Sequence, residues 1–99
     1  MKHLRNYRKI ARKVKDIVRR RCPEAEVYVF GSVVEGKATA ASDIDILVIC
    51  EGLSEEEKVK LKTEIWKELG FSVPIELHIA SRKLFESWYK RFIKKLEKI

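Results

Sequence analysis

The stretch Gly31-Ser32-Val33-Val34-Glu35-Gly36-Lys37-Ala38-Thr39-Ala40-Ala41-Ser42-Asp43-Ile44-Asp45, followed by Ile46-Leu47-Val48-Ile49, decides how this chain is read. Immediately before it stand Val27, Tyr28, Val29 and Phe30, β-forming residues that run into Gly31. Residues 33 to 42 are small and polar, with Gly36 offering a turn. A second strand is predicted from Asp43 to about Glu51. In it Ile44, Ile46 and Val48 point one way and Asp43, Asp45 and Leu47 the other, so both aspartates share one face. So short a connection makes antiparallel neighbours the natural arrangement, with Gly31-Ser32 close to the two aspartates.

Two carboxylates at i and i+2 on one strand face repel by up to about 4 kcal/mol at ~4 Å and an effective dielectric of 20. A cation removes that cost. Hard oxygen ligands select Mg²⁺ or Mn²⁺, and two such ions about 3.5 to 4 Å apart can activate an attacking hydroxyl and stabilise a leaving pyrophosphate. Gly31 lets backbone approach a phosphate, and Ser32 offers a hydroxyl and an N–H at what would be a short helix start.

The segment Ser72 to Ala80 alternates, with Ile75, Leu77 and Ile79 on one face and Pro74, Glu76 and His78 on the other. Pro74 favours an early or edge position in this third strand. Glu76 is the strand's only acidic residue and is assigned as the third metal ligand beside Asp43 and Asp45. A surface carboxylate bridging to a lysine is the alternative. His78 shares the face of Glu76 and could bind metal or relay a proton, but a lone strand histidine reads as structural.

Around these strands the periodicity is helical. Leu4, Tyr7, Ile10, Ala11, Val14, Ile17 and Val18 recur every three or four residues, up to the break before Pro23. Ser54-Glu55-Glu56-Glu57 is a capping box opening a helix whose Val59, Ile65, Trp66 and Leu69 are predicted to face inward until Gly70 stops it. Ser81 caps a closing helix with a wide stripe of Leu84, Phe85, Trp88, Tyr89, Phe92, Ile93 and Leu96. Trp66, Trp88 and Tyr89 could stack a base, but as members of apolar stripes they read as core. The predicted order is αβ(loop)βαβα. This is an α+β fold in a single domain over residues 1–99, with a small mixed or antiparallel three-stranded sheet and helices packed on one face.

Composition agrees. Of the 99 residues 45% are apolar and 37% charged, which is globular rather than disordered. The net charge of +7 is unevenly placed. Residues 1–21 carry +9 and residues 82–99 carry +5, whereas residues 22–81 carry −7. An acidic centre between basic flanks suits a metal site that receives a polyphosphate, and the basic flanks could also meet nucleic acid. A solvated helix face accounts for most of these lysines and arginines. The longest apolar run, Ile46 to Cys50, is far short of the ~20 residues of a membrane span, and Met1-Lys2-His3 opens no signal peptide. The chain therefore reads as cytoplasmic. Cys22 and Cys50 fit no zinc spacing, and antiparallel pairing would bring them to the end of the hairpin away from the aspartates, where a disulfide is conceivable.

The pair Gly31-Ser32, the ten-residue spacer, Ser42-Asp43-Ile44-Asp45 and the apolar strand after it together resemble the minimal nucleotidyltransferases of the DNA polymerase β-like superfamily. The resemblance covers roughly residues 4 to 80. Two positions depart from the pattern. Many relatives have Arg where Glu35 stands, leaving Lys37 to supply the charge, and many have Asp where Glu76 is invoked. The resemblance implies a two-metal transfer of NMP, chiefly AMP from ATP, onto a hydroxyl of a protein or nucleic-acid acceptor. Asp43, Asp45 and Glu76 would be the catalytic and metal-binding residues, and Gly31, Ser32, Lys37 and Ser42 would hold the nucleotide. It also implies a small helical partner of the HEPN class in a toxin–antitoxin pair. The sequence itself supports a partner in general, another protein or a second copy, because the closing helix carries more large apolar residues than a thin domain readily buries. The alternatives are an inactive module that neutralises a partner or binds nucleic acid, and a purely structural α/β protein that leaves the clustered carboxylates unexplained.

Overall fold

A computed structural model of the chain describes residues 6–99; Leu4, the first residue of the predicted opening stripe, lies outside them. Helix α1 (Tyr7–Arg21) buries Tyr7, Ala11, Val14, Ile17 and Val18, the predicted face. Its last turn carries Arg19, Arg20 and Arg21, a favourable match to the negative end of the helix dipole. Strand β1 (Glu26–Phe30), a single helical turn α2 (Ser32–Glu35) and strand β2 (Ile44–Ile49) follow. Helix α3 (Glu55–Leu69) begins at the capping box: Ser54 Oγ accepts from Glu57 N at 3.1 Å while Glu57 Oε1 accepts from Ser54 N at 3.2 Å. Strand β3 is Ile75–Ala80.

The sheet order is β3-β2-β1-β4, where β4 is Leu96–Lys98. Strands β1 and β2 are antiparallel, as their short connection predicts, whereas β2 and β3 run parallel, with α3 as the crossover. Pro74 lies just ahead of β3, which is an edge strand. Val14, Ile17, Val18, Val27, Val29, Ile44, Ile46, Val48, Leu61 and Ile65 form the principal core between one sheet face and helices α1 and α3. Arg20 bridges the two helices to Glu64 at 3.2 Å and to Glu68 at 2.5 Å.

Three expectations change. Val59 is 64% exposed, and the inward residue of α3 is Leu61, fully buried. The stripe is Leu61, Ile65 and Leu69 at intervals of four, and Val59 lies two residues off it, about 200° round the helix. Second, the closing segment does not run on to Leu96. A turn α4 (Arg82–Leu84), a π-helical turn (Phe85–Tyr89) and a turn α5 (Lys90–Phe92) end at Ile93, whose backbone is extended. The chain then pairs antiparallel with β1 as a fourth strand, so the sheet has four strands rather than three. Leu96 and Ile99 stand three apart, which on a helix is one face. In the strand they lie on opposite faces, Leu96 with the second apolar cluster and Ile99 against the first.

Third, helices cover both faces of the sheet. Phe85, Tyr89 and Ile93 of the closing segment pack with Tyr28, Phe30, Leu47, Ile49, Ala80 and Leu96, on the face opposite α1 and α3. Asp45 belongs to this second face by its alternation with Leu47 and Ile49. Among the described residues, no helix is long and apolar enough to cross a membrane.

Cys22 and Cys50 are joined by a disulfide, Cα to Cα 6.5 Å, at the end of the hairpin away from Gly31. Beside it opens a cavity of about 480 Å³ lined by Arg21, Glu26, Glu51 and Arg82 among others. There Glu51 accepts from Arg82 N at 2.7 Å and Glu26 pairs with the Arg82 guanidinium.

Candidate active site

Strand register builds the site. Phe30 of β1 stands opposite Asp45 of β2, and Asp45 stands opposite Glu76 of β3, so one row crosses three strands and ends on two adjacent carboxylates. One step along the same face, Leu47 stands opposite His78. Ligand atoms of Asp45, Glu76 and His78 lie within 4.8 Å of one another. His78 Nε2 is 3.6 Å from Glu76 Oε1.

The Asp45 carboxyl titrates at about 6, well above its ordinary 3.8. Partial burial is the largest cause, followed by a hydrogen bond with Glu76 and the negative charges of Glu76 and Asp43. Asp45 therefore keeps its proton to higher pH than an ordinary aspartate. Asp43, one residue ahead of β2 and exposed, contributes charge to this cluster but stands outside the triad of ligand atoms.

The loop is shaped around Asp45. Gly31 adopts φ 82° and ψ −158°, a region essentially restricted to glycine. A Cβ there would strike Asp45 Oδ2 and lie 3.1 Å from Asp45 Cγ. Gly31 O accepts from Val34 N at 3.1 Å and Glu35 N at 3.0 Å, closing the turn that Ser32 heads. Gly36, left-handed at φ 74°, ends it. Lys37 lies past this turn, exposed, with Nζ 4.0 Å from Glu35. Ser42 Oγ accepts from Thr39 N at 2.9 Å and so folds the connecting loop. Of the residues expected at the site, Gly31, Asp45 and Glu76 are brought together and Asp43 adjoins them. Ser32 heads the neighbouring turn, while Lys37 and Ser42 have partners of their own.

A lone strand histidine reads as structural, and the position of His78 beside Glu76 is the main addition the structure makes. The signal was the shared strand face with Glu76. What the sequence could not supply was Tyr89, whose hydroxyl is 3.5 Å from His78 Nδ1. The His78 ring is set between Phe30, 5.4 Å away centroid to centroid, and the edge of Tyr89 at 5.7 Å.

The donors suit a divalent cation. Carboxylate oxygens from adjacent strands converge with an imidazole nitrogen, and Asp45 sits in a notch that only a missing side chain leaves open.

The nucleotidyltransferase domain family matches residues 11–99. Among solved structures, one provisionally assigned nucleotidyltransferase is 32% identical with a TM-score of 0.74, over 89% of this chain and 95% of that one. Another from Sulfolobus solfataricus, also provisionally assigned, is 19% identical with a TM-score of 0.68, over 98% and 82% of the two chains, a likeness of fold. A toxin–antitoxin structure with AMP-PNP shares the fold at 22% identity and a TM-score of 0.59, over 89% of this chain and 70% of that one. A search of curated proteins finds no match. With 89 of its 99 residues covered by the family and a sheet that sets Asp45 beside Glu76, the chain belongs to the nucleotidyltransferase domain family.

Proposed function

We propose that this protein transfers a nucleoside monophosphate, AMP from ATP, onto a hydroxyl of another macromolecule and releases pyrophosphate. The observation that carries this reading is the row that sets Asp45 against Glu76, with Gly31 abutting Asp45 and Asp43 adjoining. Asp43, Asp45 and Glu76 would hold Mg²⁺ or Mn²⁺, which supplies charge stabilisation for the triphosphate and acidifies the attacking hydroxyl. Gly31 and Ser32 would admit the triphosphate at the head of α2. Lys37 would need to leave Glu35 to reach it, and Ser42 would act by holding the loop.

The acceptor lies on another molecule. Leu84, Trp88 and Phe92, four residues apart along the closing segment, are 43%, 56% and 65% exposed, and the rings of Trp88 and Phe92 lie 5.0 Å apart. An apolar ridge of this kind favours a protein surface. Together with the toxin–antitoxin relative it supports a helical partner of the HEPN class that is also the acceptor.

Incubation with α-labelled ATP, Mg²⁺ and the protein encoded by the adjacent gene tests this. Label should pass to the partner with wild type and be lost with Asp43→Ala/Asp45→Ala. Equal labelling by both proteins would reject it. Tight partner binding that ignores Mg²⁺ and survives the double substitution, with no transfer, would instead favour a non-catalytic neutralising module.

A further inference from the structure

The imidazole beside the carboxylate pair changes what the site should bind. From the approach of His78 Nε2 to Glu76 and the anchoring of its ring by Phe30 and Tyr89, we infer that His78 is a direct ligand of the ion held by Asp45 and Glu76, and that it makes the site prefer a first-row transition-metal ion to Mg²⁺. This rests on the reading of Asp45 and Glu76 as metal ligands.

Three observations support it. First, a metal-binding histidine must present a lone pair on the ligand side, and the nitrogen facing Glu76 is Nε2. Second, such a histidine commonly donates its other N–H to an outer partner that fixes tautomer and orientation. Tyr89 OH is 3.5 Å from Nδ1, on the side away from the carboxylates, and can accept that proton. The π-helical turn contributes here: Lys90 N donates to Phe85 O, and the widened turn ends on Tyr89, with Phe85 and Tyr89 both in the cluster on the sheet. Third, metal–ligand bonds of about 2.1 Å hold donors no more than about 4.2 Å apart. The donor atoms already lie within 4.8 Å, so closing the triad takes about half an ångström.

The selectivity follows from donor type. Mg²⁺ prefers oxygen donors and gives up its waters reluctantly, whereas an imidazole nitrogen suits transition ions. An ion pair between a protonated His78 and Glu76 is the competing explanation, and it predicts no metal–nitrogen bond.

The test uses metal ions alone with the intact chain. MnCl₂ bound to wild type should show ¹⁴N modulation from one imidazole in pulsed EPR, and Mn²⁺ should bind at least tenfold more tightly than MgCl₂ in calorimetry. His78→Phe keeps a ring between Phe30 and Tyr89 but has no lone pair. It should abolish the modulation and cut Mn²⁺ affinity about tenfold or more, with Mg²⁺ affinity altered less than threefold. Tyr89→Phe should weaken Mn²⁺ binding by a smaller factor and leave the modulation present. Absence of ¹⁴N modulation in wild-type protein that binds Mn²⁺ overturns the inference and leaves the carboxylate site standing. If wild type binds neither ion, both readings fall. Because the EPR signature is read on wild type, a variant that fails to fold does not spare the inference.

Discussion

The Asp45 carboxylate occupies the space that a side chain on Gly31 would fill: a Cβ at position 31 would lie 3.1 Å from Asp45 Cγ and closer still to Oδ2. Gly31→Ala therefore does two things at once. It puts an L-residue into a glycine-only backbone region, at a cost of about 1–3 kcal/mol, and it pushes Asp45 from its place opposite Glu76. The melting temperature should fall and Mn²⁺ affinity should drop at least tenfold, measured by thermal denaturation and calorimetry. Gly36→Ala is the control. Its φ of 74° is also positive, but nothing lies within 4 Å of an added Cβ, so it should lose stability and keep metal binding.

Asp45 also makes stability depend on pH. Its native titration near 6 is above the ordinary 3.8, so the folded chain binds the proton more tightly than the unfolded chain. The contribution is fully present below about pH 3.8 and is lost as pH rises through about 6. In chelator-treated protein, Asp45→Asn should remove a fall in stability between pH 4 and 6.5. A metal ion bound as proposed would act in the opposite direction, since it would bind the ionised carboxylates. Millimolar MnCl₂ should raise the melting temperature by several degrees at pH 7.5 and by much less at pH 5.

The exposed ridge gives a separable prediction. Trp88→Ala and Phe92→Ala remove mostly solvent-facing surface and should change unfolding free energy by about 0.5 kcal/mol or less. If the ridge docks the acceptor protein, each substitution should weaken that complex by about 2 kcal/mol, roughly thirtyfold in Kd. Unchanged partner affinity in both variants would place the interface elsewhere.

Helix α3 sets Leu61 and Val59 on different sides. Leu61→Ala should cost about 2–5 kcal/mol, and Val59→Ala, on the solvent side, almost nothing, as chemical denaturation can measure. The opening helix, the β1–β2 hairpin, the capping box and the face shared by Glu76 and His78 were legible because each is written in local spacing or turn chemistry. Leu61 rather than Val59 faces inward because it keeps the interval of four with Ile65 and Leu69 that Val59 breaks, a signal the spacing holds and the expectation of an inward Val59 misses. The fourth strand was illegible for a sharper reason. Leu96 and Ile99 satisfy a helical interval equally well, and only the vacant edge of β1 decides between strand and helix. At the site, Asp45 and Glu76 followed from alternation and strand position. The part played by His78 did not, since it depends on Tyr89, which approaches from an element eleven residues away.

Reduction of the disulfide should act on stability and spare the chemistry. Cys22 and Cys50 are 28 residues apart, a loop whose closure is worth about 3–4 kcal/mol in chain entropy. Cys22→Ser/Cys50→Ser, or reductant, should lower the melting temperature by roughly 15–25 °C. Mn²⁺ affinity below the transition should be unchanged, because the bond lies at the far end of the hairpin from Gly31.

That placement leaves the two ends of β2 fastened by different means. At one end the disulfide ties Cys50, the residue after the strand, to Cys22, ahead of β1; at the other, Asp45 and Glu76 set like charges side by side on β2 and β3. The permanent fastening keeps β1 and β2 registered while the far end of β2 stands under electrostatic tension against β3. An ion bound as proposed would work as a second clasp, joining β2 to β3. The protein should be least extensible with both in place, and β2 and β3 should part first at Asp45 when only sulfur holds.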